Sequence, residues 1–116
     1  MSIVRKHVGK RLTEIVIHNG TVYLAGQLAD DFVGDVREQT RQTLANVDRK
    51  LTEAGTDKSK ILSVTVYLKD INADFAGMNE AWDAWLDHEA IPARATVQAA
   101  LYSPDVLVEM SITAAL

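Results

Sequence analysis

A chain of 116 residues, 47% hydrophobic and 24% charged, suits one globular domain and is too apolar for a disordered segment. The absence of cysteine excludes disulfides, a thiolate nucleophile and cysteine-ligated zinc. A net charge of −4 argues against a broad phosphate-binding surface, so Arg5, Lys6, Lys10 and Arg11 read as a solvated basic stretch rather than a nucleic-acid patch.

The opening MSIVRKHVGKR has no apolar signal-like core, and no apolar run approaches the roughly 18 residues of a membrane span. A soluble cytoplasmic protein is the expectation. No repeat or low-complexity tract marks a boundary, so residues 1–116 are read as a single domain. Residues 3–7 are a candidate opening strand. TEIVIHNGTVYLAGQ (13–27) reads as a hairpin, because Asn19-Gly20 tolerates the positive φ angles of a type I′ turn. A polar loop with Asp30, Asp31 and Gly34 follows.

DVREQTRQTLANVDRKLTEAG (35–55) reads as a long helix. Asp35 and Glu38 have capping-box spacing, Gly55 suits the C′ position, and Val36, Thr40, Leu44, Val47, Leu51 and Ala54 form one stripe. KILSVTVYLKD (60–70) alternates as a strand, with Leu62, Val64, Val66 and Leu68 on one face and Ile61, Ser63, Thr65 and Tyr67 on the other. A second helix is expected over 72–89, stacking Phe75, Met78, Trp82 and Trp85 on one side. Its Gly77 costs about 1 kcal/mol relative to alanine, so some other interaction must hold it. Strands at about 94–101 and 106–114 complete the chain.

Strand, helix, strand across 60–101 implies a parallel pair, and the hairpin is antiparallel, so the sheet is mixed. The fold class is therefore α+β: about six strands with two helices on one face. The other face is expected to carry Tyr23, Ala25, Ile61, Tyr67 and Leu107 among Ser63, Thr65, Glu109 and Ser111. A half-apolar face of that kind invites burial against another copy of the chain.

Nucleophile-elbow, phosphate-loop and H-E-x-x-H motifs are absent, and His7, His18 and His88 are scattered, so no metal site is expected. Asp30 and Asp31 read as a solvated loop, and Trp82 with Trp85 as core. Arg94, after Pro92, reads from its spacing as a charged guard on a strand edge, by a small margin over a role in chemistry. Alternation puts Arg94, Thr96 and Gln98 on one face and Val97, Ala99 and Leu101 on the other. Glu109, in VLVEMSITAA, faces away from the apolar side of its strand. It reads either as an ion-pair partner, Arg94 included, or as an acid or base whose pKa burial would raise.

PARATVQAALYSPDVLVEM resembles the signature of the RidA/YjgF family of reactive-intermediate deaminases. VYLAGQ (22–27), QTLANVDRKLTEAGTDKSKILSVTVYLKDI (42–71) and FAGMNEAW (75–82), with Asn79, are similar to the family's segments in the same order. The resemblance implies a chorismate-mutase-like homotrimer with three clefts between subunits. It also implies cofactor-independent hydrolysis of imines and enamines such as 2-iminopropanoate and 2-aminoacrylate, giving a 2-oxo acid and ammonia. Arg94 then clamps the substrate carboxylate and Glu109 activates water, with Ala95, Thr96, Asn79, Ala25 and Gly26 as further substrate contacts. The chain departs from the family pattern: Leu12 stands near a usual tyrosine, Ala25 replaces a serine, Thr96 a cysteine and Tyr102 a leucine. A non-catalytic trimer that binds small carboxylates is the alternative, and RNA cleavage, attached to some members, is a weaker one.

Overall fold

The computed structural model describes residues 2–116. Six strands and two helices follow in the order β1 (Val4–Val8), β2 (Thr13–His18), β3 (Thr21–Leu24), α1 (Val36–Ala54), β4 (Ile61–Leu68), α2 (Ile71–Trp85), β5 (Ala93–Gln98) and β6 (Val108–Ala115). The sheet order is β1-β2-β3-β6-β4-β5. Only β4 and β5 run parallel, joined by α2 as the crossover, and every other pair is antiparallel. No helix among the described residues is long and apolar enough to cross a membrane.

Local chemistry accounts for each element. Asn19 (φ 53°) and Gly20 (φ 75°) both occupy the left-handed region, as a two-residue turn of matching twist requires. Asp35 caps α1 by accepting from the Glu38 amide at 3.1 Å, and Gly55 closes it in the left-handed conformation at φ 91°. The Glu38 side chain does not complete the box; it turns outward to Arg41 and Gln42. All six residues of the expected stripe on α1 are buried. They meet the inner face of the sheet, where Ile15, Val22, Val64, Val66, Met110 and Ile112 supply the other half of the core.

Gly77 has a packing reason. A β-carbon there would lie 2.7 Å from Val36 Cγ1, so glycine lets α2 press directly onto the first turn of α1. That contact offsets its poor helix propensity.

Several expectations need correction. The alternation of β4 fails at its start: Ile61 is 6% exposed and Leu62 is 52% exposed. The ladder to β6 shifts between Ile61 and Ser63, and the resulting irregularity swaps the faces of Ile61 and Leu62. Ile61 thus joins the core and Leu62 the open face, while Leu107 is half-buried and packs on the core cluster. The second helix stops at Trp85 rather than reaching 89, with Leu86 extended. Phe75 leaves the stack and is 42% exposed, whereas Met78 and Trp82 are buried. The strand expected over 94–101 ends at Gln98, so Leu101 lies in the following loop.

Candidate active site

Arg94 lies near the start of β5, in register with Val64, one of the buried core residues of β4. Its side chain therefore points to the helix-covered face. The face of β5 bearing Arg94 and Thr96 is thus the inner one, and Val97 is on the open side. Pairing decides this, because parallel neighbours in register share a face.

The guanidinium sits 5.2 Å from the ring centre of Trp82, with one N–H aimed at Met78 Sδ at 3.9 Å. Among the described residues it forms no ion pair. Partial burial draws its pKa below the usual value, against the pull of the Asp83 carboxylate, and a guanidinium remains charged through any such shift. An aromatic ring and a thioether thus hold a cation whose donors are largely unspent. It lines a cavity of about 450 Å³ with Asn79, Trp82, Asp83, Leu86, His88, Ile91 and Pro92. Asn79, Trp82 and Asp83 share one face of α2 by their i, i+3, i+4 spacing.

The two other expected contacts on β5 diverge. Ala95 is exposed and in register with Thr65. Thr96 follows Val66 inward, its hydroxyl buried without a partner. β5 is an edge strand, so half of its backbone donors and acceptors are unclaimed by the sheet.

Glu109 stands elsewhere. It is in register with Tyr67, and β6 alternates strictly between buried and half-buried residues, which puts its carboxylate on the open face. A β-carbon on Gly26 would collide with Glu109 Oε2 and lie 3.0 Å from its Cδ. The reason is local: Gln27 and Met110 exchange backbone hydrogen bonds at 2.8 and 3.0 Å, which lays Gly26 beside Glu109. Glu109 and Gly26 share a cavity of about 320 Å³ with Tyr67, Ala99, Ala100, Leu101 and Ser111. Ala25 adjoins it in sequence, its amide donating to the Glu14 carbonyl at 2.9 Å.

The expected site residues thus fall into two groups, Arg94 with Asn79 and Glu109 with Gly26. Their cavities have no lining residue in common. The Arg94–Glu109 ion pair does not form. Sequence reasoning missed Asp83 and His88 beside Arg94, although the spacing of Asp83 from Asn79 was a usable signal. It also took Trp82 for core alone; the residue is core on one side and a floor for Arg94 on the other.

A larger cavity, about 630 Å³, is a groove between α1 and α2 walled by Leu44, Ala81, Ala84 and Trp85. Its rim charges are already spent, with Arg37 bound to Glu80 at 2.7 Å and Arg41 to Glu38 at 2.6 Å. It offers no free group for chemistry, so the smaller Arg94 cavity is the better candidate.

Comparison with known proteins agrees with this architecture. The family model described as Endoribonuclease L-PSP matches residues 5–116. The RutC family protein YoaB of Escherichia coli K12 is 46% identical over 115 residues, covering 99% of both chains. A YjgF-family protein from Neisseria meningitidis superposes with TM-score 0.95 at 40% identity, covering 99% of this chain and 95% of that one. An uncharacterized protein from Pseudomonas aeruginosa gives 0.94 at 44% identity over 98% of each chain. With matches that span the whole fold and not one motif, the chain belongs to the RidA/YjgF family.

Proposed function

We propose that this protein is a cofactor-independent hydrolase of 2-imino and 2-enamino acids, the 2-iminopropanoate and 2-aminoacrylate type, releasing a 2-oxo acid and ammonia. The observation that carries this reading is the unpaired Arg94 guanidinium at the wall of a cavity. A planar carboxylate matches a guanidinium fork with two parallel hydrogen bonds, and no carboxylate among the described residues occupies that fork. Gripping the acid end holds the C=N carbon in place and captures part of the advantage of orientation. Glu109 then serves as general base for water, a role worth about 10²–10⁴-fold.

Arg94 and Glu109 stand on opposite faces of one sheet, so a single substrate meets both only where two chains abut. The reading therefore includes an oligomer, a homotrimer by the family resemblance, whose clefts combine Arg94 of one protomer with Glu109 of the next. The open sheet face supports it: Tyr23, Leu62 and Val97 are exposed there among half-buried Thr65, Ser111 and Thr113. Apolar groups on such a face gain about 25 cal/mol per Å² when covered.

The test is ammonia release from freshly generated 2-iminopropanoate. The expected result is a rate above the uncatalysed one that disappears in Arg94→Ala and stays impaired in Arg94→Lys. Equal rates for wild type, variant and buffer across a panel of imino acids overturn the reading. Binding of 2-oxo acids without acceleration would leave a carboxylate-binding trimer in its place. RNA cleavage finds less support: the cavity holds one arginine beside one aspartate, not the basic groove that tracks a phosphate backbone.

A further inference from the structure

The Arg94 cavity contains a second charge that the deaminase reading leaves unused. Asp83 lies one turn after Asn79 on α2 and lines the same 450 Å³ space as Arg94. The two opposite charges do not pair with one another, and the Asp83 carboxylate has no ion pair or hydrogen bond among the described residues. His88 engages only the Asp83 main-chain carbonyl, through Nε2 at 2.9 Å, and leaves the carboxylate free. Asn79, on the same face, adds a neutral amide that can donate and accept. The walls between these groups are apolar: Trp82, Leu86, Ile91 and Pro92.

A cation, an anion and an amide around one small apolar-walled space form a pattern complementary to a zwitterion. We infer that the Arg94 cavity reads both ends of its ligand, with Arg94 on the carboxylate and Asp83 on a cationic nitrogen, so that the substrate form taken is the iminium carboxylate. The inference rests on the deaminase reading for the identity of the reaction, but not for the identity of the charges.

The chemistry gives the arrangement a purpose. Water adds to the carbon of C=NH₂⁺, the π pair moves to nitrogen, and the proton lost by water passes to a base, Glu109 in the reading above. The carbinolamine then takes a proton on nitrogen, the C–N bond breaks, and ammonia leaves as the hydroxyl oxygen becomes the ketone and gives up its proton. No oxidant or reductant enters. An anion beside the nitrogen favours the protonated and more electrophilic form at the first step and steadies the ammonium-like nitrogen at the second. A neutral enamine or a 2-oxo acid makes only the Arg94 half of these contacts.

Two probes with the same carbon skeleton separate the charges: alanine, a zwitterion, and pyruvate, a simple anion. Binding of each is measured by calorimetry to wild type, Asp83→Asn and Arg94→Ala, with thermal melts as the check on folding. Asp83→Asn is expected to weaken alanine by about tenfold and to leave pyruvate unchanged or tighter, whereas Arg94→Ala weakens both. Equal effects of Asp83→Asn on the two probes, no effect on alanine, or no binding of alanine to wild type would overturn the inference. If Asp83→Asn shows the expected split but no imino acid is hydrolysed, the deaminase reading fails and the zwitterion site stands. If pyruvate binding is indifferent to Arg94→Ala, the carboxylate clamp itself is wrong.

Discussion

Arg94 and Glu109 belong to one sheet but look away from each other: Arg94 is in register with buried Val64, and Glu109 with Tyr67 on the open side. No rotamer change brings the two side chains to one atom through a packed sheet. The proposed site, which uses both, therefore draws them from two protomers. Mixed oligomers test this directly. Arg94→Ala and Glu109→Gln are each expected to be inactive alone, yet co-assembled they regain intact clefts, about a quarter of them by random association. Activity that fails to return on mixing would place each site within one chain.

Gly26 and Glu109 give a second prediction. The β-carbon of Gly26→Ala would strike the end of the Glu109 side chain, which is flexible, so the carboxylate moves and the backbone stays. Stability should change little, while turnover falls by about 10²-fold, the scale of losing a placed base. A melting temperature near that of wild type together with unchanged kcat would show that Glu109 has no fixed position to lose.

Trp82 carries a third. It floors the Arg94 guanidinium at 5.2 Å while its other side fills the core. Trp82→Phe keeps a ring with a weaker face, so KM for a carboxylate substrate should rise by a factor of about 2 to 10 with kcat nearly constant. Trp82→Leu removes the ring altogether and should also lower the melting temperature, because it leaves space in the core.

A buried amide on α1 ties the loops that flank the site. Gln39 donates to the carbonyls of Gly34 (3.3 Å) and Asp105 (3.0 Å) and accepts from the Leu107 amide at 3.0 Å. Gln39→Leu leaves three part-buried backbone groups without that partner. Chemical denaturation should show a loss of about 2–4 kcal/mol, less than three full desolvation costs of about 1–3 each because water reaches these groups in part. A loss well under 1 kcal/mol would mean that water replaces the amide.

Acid stability offers a fifth. Hydrogen bonds from Arg41 and Gln42 hold the Glu38 carboxyl down at about 2. A depressed folded pKa stabilises above the unfolded value, about 4.5, and that contribution is lost as pH falls through the folded value near 2. The carboxylate is exposed, so the effect is small and should weaken with salt. Glu38→Gln should flatten the pH dependence of stability between those limits; an unchanged slope would show that the ion pair contributes nothing in solution.

The hairpin, both helices and the stripe on α1 were legible because each follows from local rules. Asn-Gly needs two positive φ angles, Asp35 and Gly55 cap by position, and a period near 3.6 survives over 19 residues. The end of α2 was not, because nothing in WLDHEA forbids a further turn. Alternation also misassigned Ile61 and Leu62, since an irregularity in the ladder depends on the partner strand and not on the strand that carries it.

The sequence alone determined the inventory: a mixed sheet with two helices, one cation after Pro92, and one carboxylate in a late apolar strand. Only the tertiary structure decided which face each occupies. Strand residues take sides according to the neighbour they pair with, and Arg94 pairs with a core valine while Glu109 pairs with a half-buried tyrosine on the open face. The same holds for Asp83, whose meaning comes from a crossover helix that lays it beside a strand entered eight residues after the helix ends. Contacts of that range are set by packing the chain back upon itself, and no periodicity in the sequence records them.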